Sequence, residues 1–412
     1  MTATLFDELF DDDSFGDESS AGSRTGVVPE RAVTFVHTAD WQLGMTRHFL
    51  APEAQAQFTA DRLAGISRIG AIAAEVGAEF VVVCGDVFDD HRVSSRIITQ
   101  ALDRLREFAM PVYLLPGNHD PLDVASVYRS GVFAKACPPG VTVLSTPGVR
   151  EVADGVDLVV APWPTKSPSN DLIAEQVRRL GSDDRIRIVV GHGGVDRLSP
   201  NPDPAIIAVD PLETALRENL IDFVALGDRH SVTDLGDSGR IWYSGAPEVT
   251  DFDNVEKASG AVLSVSLTRG QRPSVAVAEH EVGKWCFRSL TAEVDGADDI
   301  AALSATLDAV PAKATTAVRL GLVGRLSVAD DAALGELLET AADRFAALVR
   351  WESRDDVAVT ADPEDVAAMG LRGYAAEAAD ELVAQANSGD ESAAAIARHA
   401  LALLGRLAGG AR

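Results

Sequence analysis

From Arg31 onward, short and wholly apolar runs alternate with stretches of helical spacing. Val33–His37 is a strand candidate that ends at a polar loop. Phe80–Cys84 (Phe-Val-Val-Val-Cys) is apolar at every position, the pattern of a strand buried on both faces. Val112–Leu115, Val156–Ala161, Ile186–Val190, Phe223–Leu226, Ile241–Ser244 and Ala261–Leu267 extend the strand series. The spacing of apolar residues predicts helices over Asp61–Val76, Ile97–Phe108 and Leu212–Asn219. Strands alternating with helices imply a layered α/β fold with loops gathered at the strand ends.

The same pattern divides the chain. Residues 1–30 mix acids with a few large apolar side chains over Phe6–Phe15 and then turn to Ser and Gly. They read as a disordered acidic tail, a solubilising segment or a docking peptide. The layered domain is expected over 31–280. A helix over Asp298–Val310, a strand over Val318–Leu322, a helix over Asp330–Leu348 and a strand over Val349–Glu352 predict a small α/β domain spanning 285–361. Residues 362–412 are rich in Ala, Glu and Leu and are expected to be a helical segment, with helices near Gly373–Gln385 and Glu391–Leu407. No apolar run approaches the ~20 residues of a bilayer span, and the first thirty residues lack a secretory pattern.

Composition fits this division. With 412 residues, 46% hydrophobic and 24% charged, two or three soluble domains are expected. Cys84, Cys137 and Cys286 lie far apart, so neither a disulfide framework nor a zinc motif is present, which suits the cytoplasm. The net charge of −27 changes the picture for nucleic acids. Binding DNA without regard to sequence relies on phosphate neutralisation by Lys and Arg, so the isolated chain is expected to hold DNA weakly and in a salt-sensitive way.

The candidate chemistry sits directly after the strands. Val33–Val36 leads to His37-Thr-Ala-Asp40-Trp41-Gln42-Leu-Gly44, and Phe80–Cys84 to Gly85-Asp86-Val-Phe-Asp89-Asp90. Tyr113–Leu115 leads to Pro116-Gly117-Asn118-His119-Asp120, Ile188–Val190 to Gly191-His192-Gly193, and Phe223–Leu226 to Gly227-Asp228-Arg229-His230. Loops after adjacent strands converge on one rim of the sheet. A single Asp or His beside a glycine is most often a turn residue. Five such loops in one chain deliver Asp, Asn, His and Gln to one place. A phosphodiester suits that set: two divalent cations roughly 3.5–4 Å apart neutralise its charge and activate water, a carboxylate such as Asp86 bridges them, and a remaining histidine donates a proton to the leaving oxygen.

In order and spacing these motifs resemble the calcineurin-like metallophosphoesterases, whose pattern is Asp-x-His, Gly-Asp, Gly-Asn-His-Asp, Gly-His and Gly-His-x-His. The flanks resemble SbcD-type DNA repair nucleases: His37-Thr-Ala-Asp-Trp-Gln-Leu-Gly44, Gly85-Asp-Val-Phe-Asp89, Leu226-Gly-Asp-Arg-His-Ser231 and Trp242-Tyr-Ser-Gly-Ala-Pro247. The resemblance spans residues 37 to 247; beyond 290 only the domain order agrees. It implies a four-layer α/β sandwich with a small C-terminal α/β cap and a helical tail. It further implies that Asp40, Asp86 and His230, with Gln42, hold one ion, and that Asp86, Asn118, His192 and Asp228 hold the other. His119 is then the acid or a phosphate-contacting histidine. Mn²⁺ is the expected metal, with Mg²⁺ as the alternative. The implied partners are DNA and an SbcC-like coiled-coil ATPase, with a homodimer as a further candidate assembly and no membrane.

Two positions depart from the family: Gln42 stands in place of a histidine, and Asp228 in place of the first histidine of the last motif. Both can still ligate through oxygen. The third carboxylate neutralises the metal pair further and shifts preference toward oxygen-loving ions. His37, Asp89 and Asp120 are candidate supports behind the ligands. Arg47, His48, Arg92 and Arg129, in loops near the motifs, are candidate DNA contacts or solvated surface residues. The competing functions are a small-molecule phosphodiesterase or phosphatase, and a catalytically weak scaffold subunit of an ATPase–DNA complex.

Overall fold

The computed structural model describes residues 31–199, 203–270, 272–360 and 371–388, with single positions and short runs from 390 to 404. The acidic tail expected over 1–30 lies outside the described residues, as does part of the helix expected near Glu391–Leu407.

The first half of the large domain runs β1 (Arg31–Thr38), α1 (Pro52–Glu75), β2 (Phe80–Cys84), α2 (Ser95–Leu105), β3 (Val112–Leu115), α3 (Gly131–Ala136) and β4 (Val141–Val143). The second runs β5 (Gly148–Ala153), β6 (Val156–Val160), α4 (Leu172–Val177), β7 (Ile186–His192), α5 (Val209–Arg217), β8 (Phe223–Gly227), β9 (Thr233–Leu235) and β10 (Ile241–Tyr243), before β11 (Ala261–Arg269) and β12 (Ser274–Glu281) return to the first sheet. That sheet has the order β12-β11-β1-β2-β3-β4, with β1 to β4 parallel. The second has the order β5-β6-β7-β8-β10-β9, with β6, β7, β8 and β10 parallel.

The all-apolar strands explain the layering. Along β2, Phe80, Val82 and Cys84 face the second sheet, where they meet Leu158, Ile188 and Phe223. Val81 and Val83 face the other way, onto Ile66 and Ile69 of α1 and Leu102 of α2. In the second sheet, Val189, Val224 and Leu226 turn outward onto Ile173 of α4 and Leu212 of α5. The result is helices, sheet, sheet, helices: a four-layer α/β sandwich. Phe35 joins the sheets, stacked on Phe80 at 5.2 Å and edge-on to Phe223 at 5.9 Å. Helix α1 starts nine residues earlier than its apolar spacing predicts, because Pro52 supplies a preset first turn.

The chain continues through β13 (Cys286–Glu293), α6 (Ala297–Ala309), β14 (Thr316–Ser327), α7 (Val328–Ala342), β15 (Ala347–Arg350), β16 (Asp356–Thr360) and a last helix, α8 (Tyr374–Ala386). Strand β14 is central, with β13 on one edge and β15 followed by β16 on the other. The helix expected over Asp330–Leu348 stops at Ala342. Ala347–Arg350 is drawn instead into pairing with Ala317–Leu320, a case of long-range pairing overriding local helical preference. This unit seats on the large domain through Trp285, Phe287, Ala317 and Ala347, which pack against Leu50, Phe58, Val249 and Phe252.

Candidate metal centre

The C-terminal ends of β1, β2, β3, β7 and β8 meet at one rim, and backbone bonds stitch their loops together. Asp40 N donates to Gly85 O at 3.0 Å, Gln42 N to Asp86 O at 2.9 Å and Leu43 N to Val87 O at 2.9 Å. Asp228 N donates to both Asp40 carboxylate oxygens at 3.1 Å, and His119 N to Asp86 Oδ1 at 2.9 Å. Six described non-glycine residues have positive φ. Four are Asp40 (53°), Gln42 (47°), Asp86 (54°) and Asp228 (103°). Such strain persists only where surrounding structure enforces it, and it collects at functional sites. Two glycines permit the close approach: a Cβ on Gly85 would lie 2.1 Å from His192 Nδ1, and one on Gly227 1.8 Å from Cys84 O.

Carboxylate oxygens of Asp40 and Asp86 and a ring nitrogen of His192, all buried, lie within 4.8 Å of one another. His192 Nδ1 donates to Cys84 O at 2.8 Å, so the neutral ring keeps its lone pair on Nε2. That Nε2 is 2.7 Å from Asn118 Oδ1, 3.4 Å from Asp86 Oδ1 and 3.7 Å from Asp228 Oδ1. With the ring neutral, acceptor faces acceptor, and either a proton or a cation must lie between them. Rotated half a turn, the Asn118 amide would donate to His192 at 2.7 Å and to both Asp86 oxygens at 3.2 Å. With its oxygen inward, the same atoms converge as ligands and a cation satisfies them together. Gln42 adds a buried Oε1 with no partner. The donor set thus fits divalent cations.

Charge in the centre points the same way. Burial pushes the Asp40 carboxyl up to about 7, with Asp86 and Asp228 adding and His230 and His192 opposing. Burial also raises Asp228. At His192 burial favours the neutral ring, but Asp86, Asp40 and Asp228 outweigh it and hold the pKa well above its ordinary value. Protons and metal ions compete for these atoms, so metal uptake releases protons here.

The remaining candidates fall into three groups. Gln42 turns its Nε2 toward Asp86, donating to Oδ2 at 3.0 Å. His230 faces Thr250 and Glu256 through Nδ1, the latter at 3.3 Å. His119 is exposed on the rim, its Nδ1 donating to Asp89 O at 2.7 Å, so Asp89 supports the ring by its backbone carbonyl. Asp120 is buried among donors: Gly117 N at 2.8 Å, Phe88 N at 3.1 Å and Tyr128 Oη at 2.6 Å. It clamps two site loops together. Arg47 donates to Thr250 O and lines the cavity beside Asp228 and His230. Arg92 is bound by Asp90 at 2.8 Å, which uses up its charge at the surface. His48 is exposed beside Phe49, and Arg129 is exposed at the end of the 127–129 turn. Sequence reasoning missed Glu256, Thr250, Trp163, whose Nε1 donates to His192 O at 2.6 Å, and Tyr243, whose hydroxyl donates to Gly193 O at 2.7 Å.

His37 is buried behind the centre, where Nε2 donates to Leu226 O at 3.0 Å and ties β1 to β8. Burial lowers its pKa from 6.5 to about 3. Between those values the unfolded chain binds the extra proton, so stability rises with pH and is lost as pH falls below 6.5. From pH 6.5 to 5 the loss from this group is about 2 kcal/mol. Denaturant unfolding at the two pH values is expected to show that loss in wild type and not in His37→Gln. Equal pH slopes would overturn it.

A buried set of Asp, Asn and His on adjoining strand-end loops is a donor set suited to metal-dependent phosphoester hydrolysis. Residues 33–232 match the family described as calcineurin-like phosphoesterase. Among solved structures, a dimetal phosphatase from Danio rerio is similar over 61% of this chain and 99% of its own, at 12% identity and a TM-score of 0.37. A second solved chain is matched over 61% of this one and 100% of its own, at 13% identity and a TM-score of 0.34. No curated protein matches the chain.

Proposed function

We propose that the protein is a two-metal phosphodiesterase acting on DNA, similar to SbcD-type nucleases. The observation that carries the hydrolytic part is the inward-facing set of Asp86, Asn118 Oδ1 and His192 Nε2 beside Asp40. Asp86 would be shared between the two ions; Asp40, His230 and Gln42 would hold one, and Asn118, His192 and Asp228 the other. Bound divalent ions, Mn²⁺ in this reading with Mg²⁺ as the alternative, neutralise the phosphate and make water nucleophilic. The chain's own residues do the rest. Asp228 N–H and Gln42 Nε2–H orient the two carboxylates. His119 stands at the rim with Nδ1–H on the Asp89 carbonyl, so its protonated Nε2–H is free to reach the leaving oxygen. Water oxygen bonds to phosphorus and gives up a proton to solvent, the phosphorus–oxygen bond to the leaving alcohol breaks, and His119 supplies that alcohol's proton and regains one from solvent.

The DNA substrate is supported by the residues flanking the motifs and by the small domain, a cap seated beside the site. Of the cations near the rim, Arg92 is paired with Asp90 at 2.8 Å, while exposed Arg229 donates to the neutral Thr233 Oγ1 at 2.8 Å and keeps its charge. A basic partner would supply phosphate contacts, so the reading includes a coiled-coil ATPase similar to SbcC, with a homodimer as a further assembly, in the cytoplasm. Among the described residues no helix is long and apolar enough to cross a membrane.

One observation favours a small phosphodiester instead. A cavity of about 370 Å³ beside Asp228 and His230, lined also by Arg47, Arg229 and Tyr243, has room for a single nucleotide. Digestion with Mn²⁺ across single-stranded, duplex and hairpin DNA and a cyclic nucleotide tests the choice. DNA cleavage is expected. Turnover of the cyclic nucleotide alone would favour the small substrate, and no turnover by the metal-loaded protein would favour a scaffold.

A further inference from the structure

His230 is fixed from behind by a relay. Glu256 is buried; its Oε1 accepts from Thr250 N at 2.9 Å, and its Oε2 accepts from Asp251 N at 3.1 Å and from the Thr250 hydroxyl. With that hydroxyl proton committed to the carboxylate, the Thr250 oxygen is left to accept from His230 Nδ1–H. The relay puts the ring proton on Nδ1 and keeps the lone pair on Nε2. Ligating histidines are commonly held in their tautomer and orientation by such partners.

The same short segment carries the seat of the small domain. Phe252 packs on Phe49 at 5.0 Å and on Phe287 at 5.6 Å. Asp253 N donates to Phe287 O at 3.0 Å, and Asp253 Oδ1 accepts from Ser289 N at 2.8 Å. Asn254 Oδ1 accepts from Ser289 Oγ at 3.1 Å and from Arg319 of β14. The Arg319 guanidinium lies 4.3 Å from the Phe252 ring centre and 4.2 Å from that of Trp351. Both ends of a stretch of seven residues thus meet at a metal-site histidine, and its middle is gripped by β13 and β14.

We propose that Glu256 is the positioning residue for His230, and that the 250–256 segment couples metal affinity at His230 to the seating of the small domain. This rests on the reading of His230 as a metal ligand. A ligand or partner that shifts the small domain would then change occupancy of one metal position without touching it.

Calorimetric titration of the metal-free full chain with Mn²⁺ tests this, with folding checked by circular dichroism and thermal melting. Wild type should take two ions. Glu256→Gln should weaken one position by roughly 10- to 100-fold and leave the other unchanged, the usual effect of losing an outer partner. Thr250→Val should weaken the same position and Thr250→Ser should restore it, a pattern that a purely structural role would not produce. Arg319→Ala, far from the ligands in sequence, should weaken that same position by roughly 2- to 30-fold, the range of coupling through packed contacts. Two ions bound with wild-type affinity in Glu256→Gln would overturn the positioning role. An unchanged Arg319→Ala would overturn the coupling. Both results leave the two-metal reading standing. A wild type that takes up no Mn²⁺ would sink that reading and this inference together.

Discussion

Asp86→Asn is expected to abolish hydrolysis and leave at most one divalent ion per chain. Asp86 is the most shared atom group of the centre. Its Oδ1 accepts from His119 N, its Oδ2 accepts from Gln42 Nε2, and Oδ1 lies 3.4 Å from His192 Nε2. Burial pushes its pKa up, but His192 and then His119 more than offset that and hold it below the ordinary carboxylate value, so the group is ionised and ready to bind. Asparagine keeps the shape and removes the charge. It also puts an N–H₂ where one of two existing donors already points, so either His119 N or Gln42 Nε2 loses its acceptor. Removing a single electrostatic contact in an active site typically costs 10²–10³-fold, and a bridging ligand with its charge should cost at least roughly 10³-fold in kcat/KM. Elemental analysis after Mn²⁺ reconstitution, paired with a phosphodiester assay, reads both effects. A variant that keeps two ions and wild-type turnover would show that Asp86 bridges nothing.

Much of this centre was legible because strands buried on both faces announce themselves. Phe80–Cys84 has the length and composition of a central strand, so the Gly85-Asp86 that follows is expected at a sheet end. Five repetitions of that logic bring Asp40, Asp86, Asn118, His192 and Asp228 to one rim. Edge elements were harder to read. Strand β12 (Ser-Val-Ala-Val-Ala-Glu-His-Glu) is half polar, and β13 mixes Arg, Ser and Thr with its apolar residues, so neither shows a long apolar run. The end of α7 was overrun because Asp343-Arg-Phe-Ala-Ala carries neither Gly nor Pro to stop it; pairing with β14 does that work instead.

The supporting residues were hidden for a different reason. Glu256, Thr250 and Trp163 act through contacts with residues 20 or more positions away, in segments that carry no motif. Only their placement reveals them. Two expectations turned on local detail. Arg92 reads as a free cation until its bond to Asp90, two residues earlier, is seen. Gln42 reads as an oxygen ligand, yet the hydrogen bond it makes is through nitrogen, and its Oε1 is the atom left without a partner. Side-chain orientation is information that residue type alone does not carry.

His119→Ala is expected to remove most hydrolysis of DNA while leaving the metals in place. Its contact with the centre is made by backbone: His119 N donates to Asp86 Oδ1, and alanine keeps that bond. Among the described residues the ring hydrogen-bonds only to Asp89 O, so truncation takes away a proton donor and not a ligand. Loss of a general acid typically costs roughly 10²–10⁴-fold. The cost should depend on the leaving group. A DNA alcohol needs the proton, whereas p-nitrophenolate leaves well without one, so the penalty on a p-nitrophenyl phosphodiester should shrink to less than roughly 10-fold. Metal content measured beside both rates completes the test. Equal losses on the two substrates would mean that His119 binds the phosphate and transfers no proton. Loss of an ion would mean that the ring, and not the backbone, holds the centre together at this loop, and its assignment to chemistry would fail.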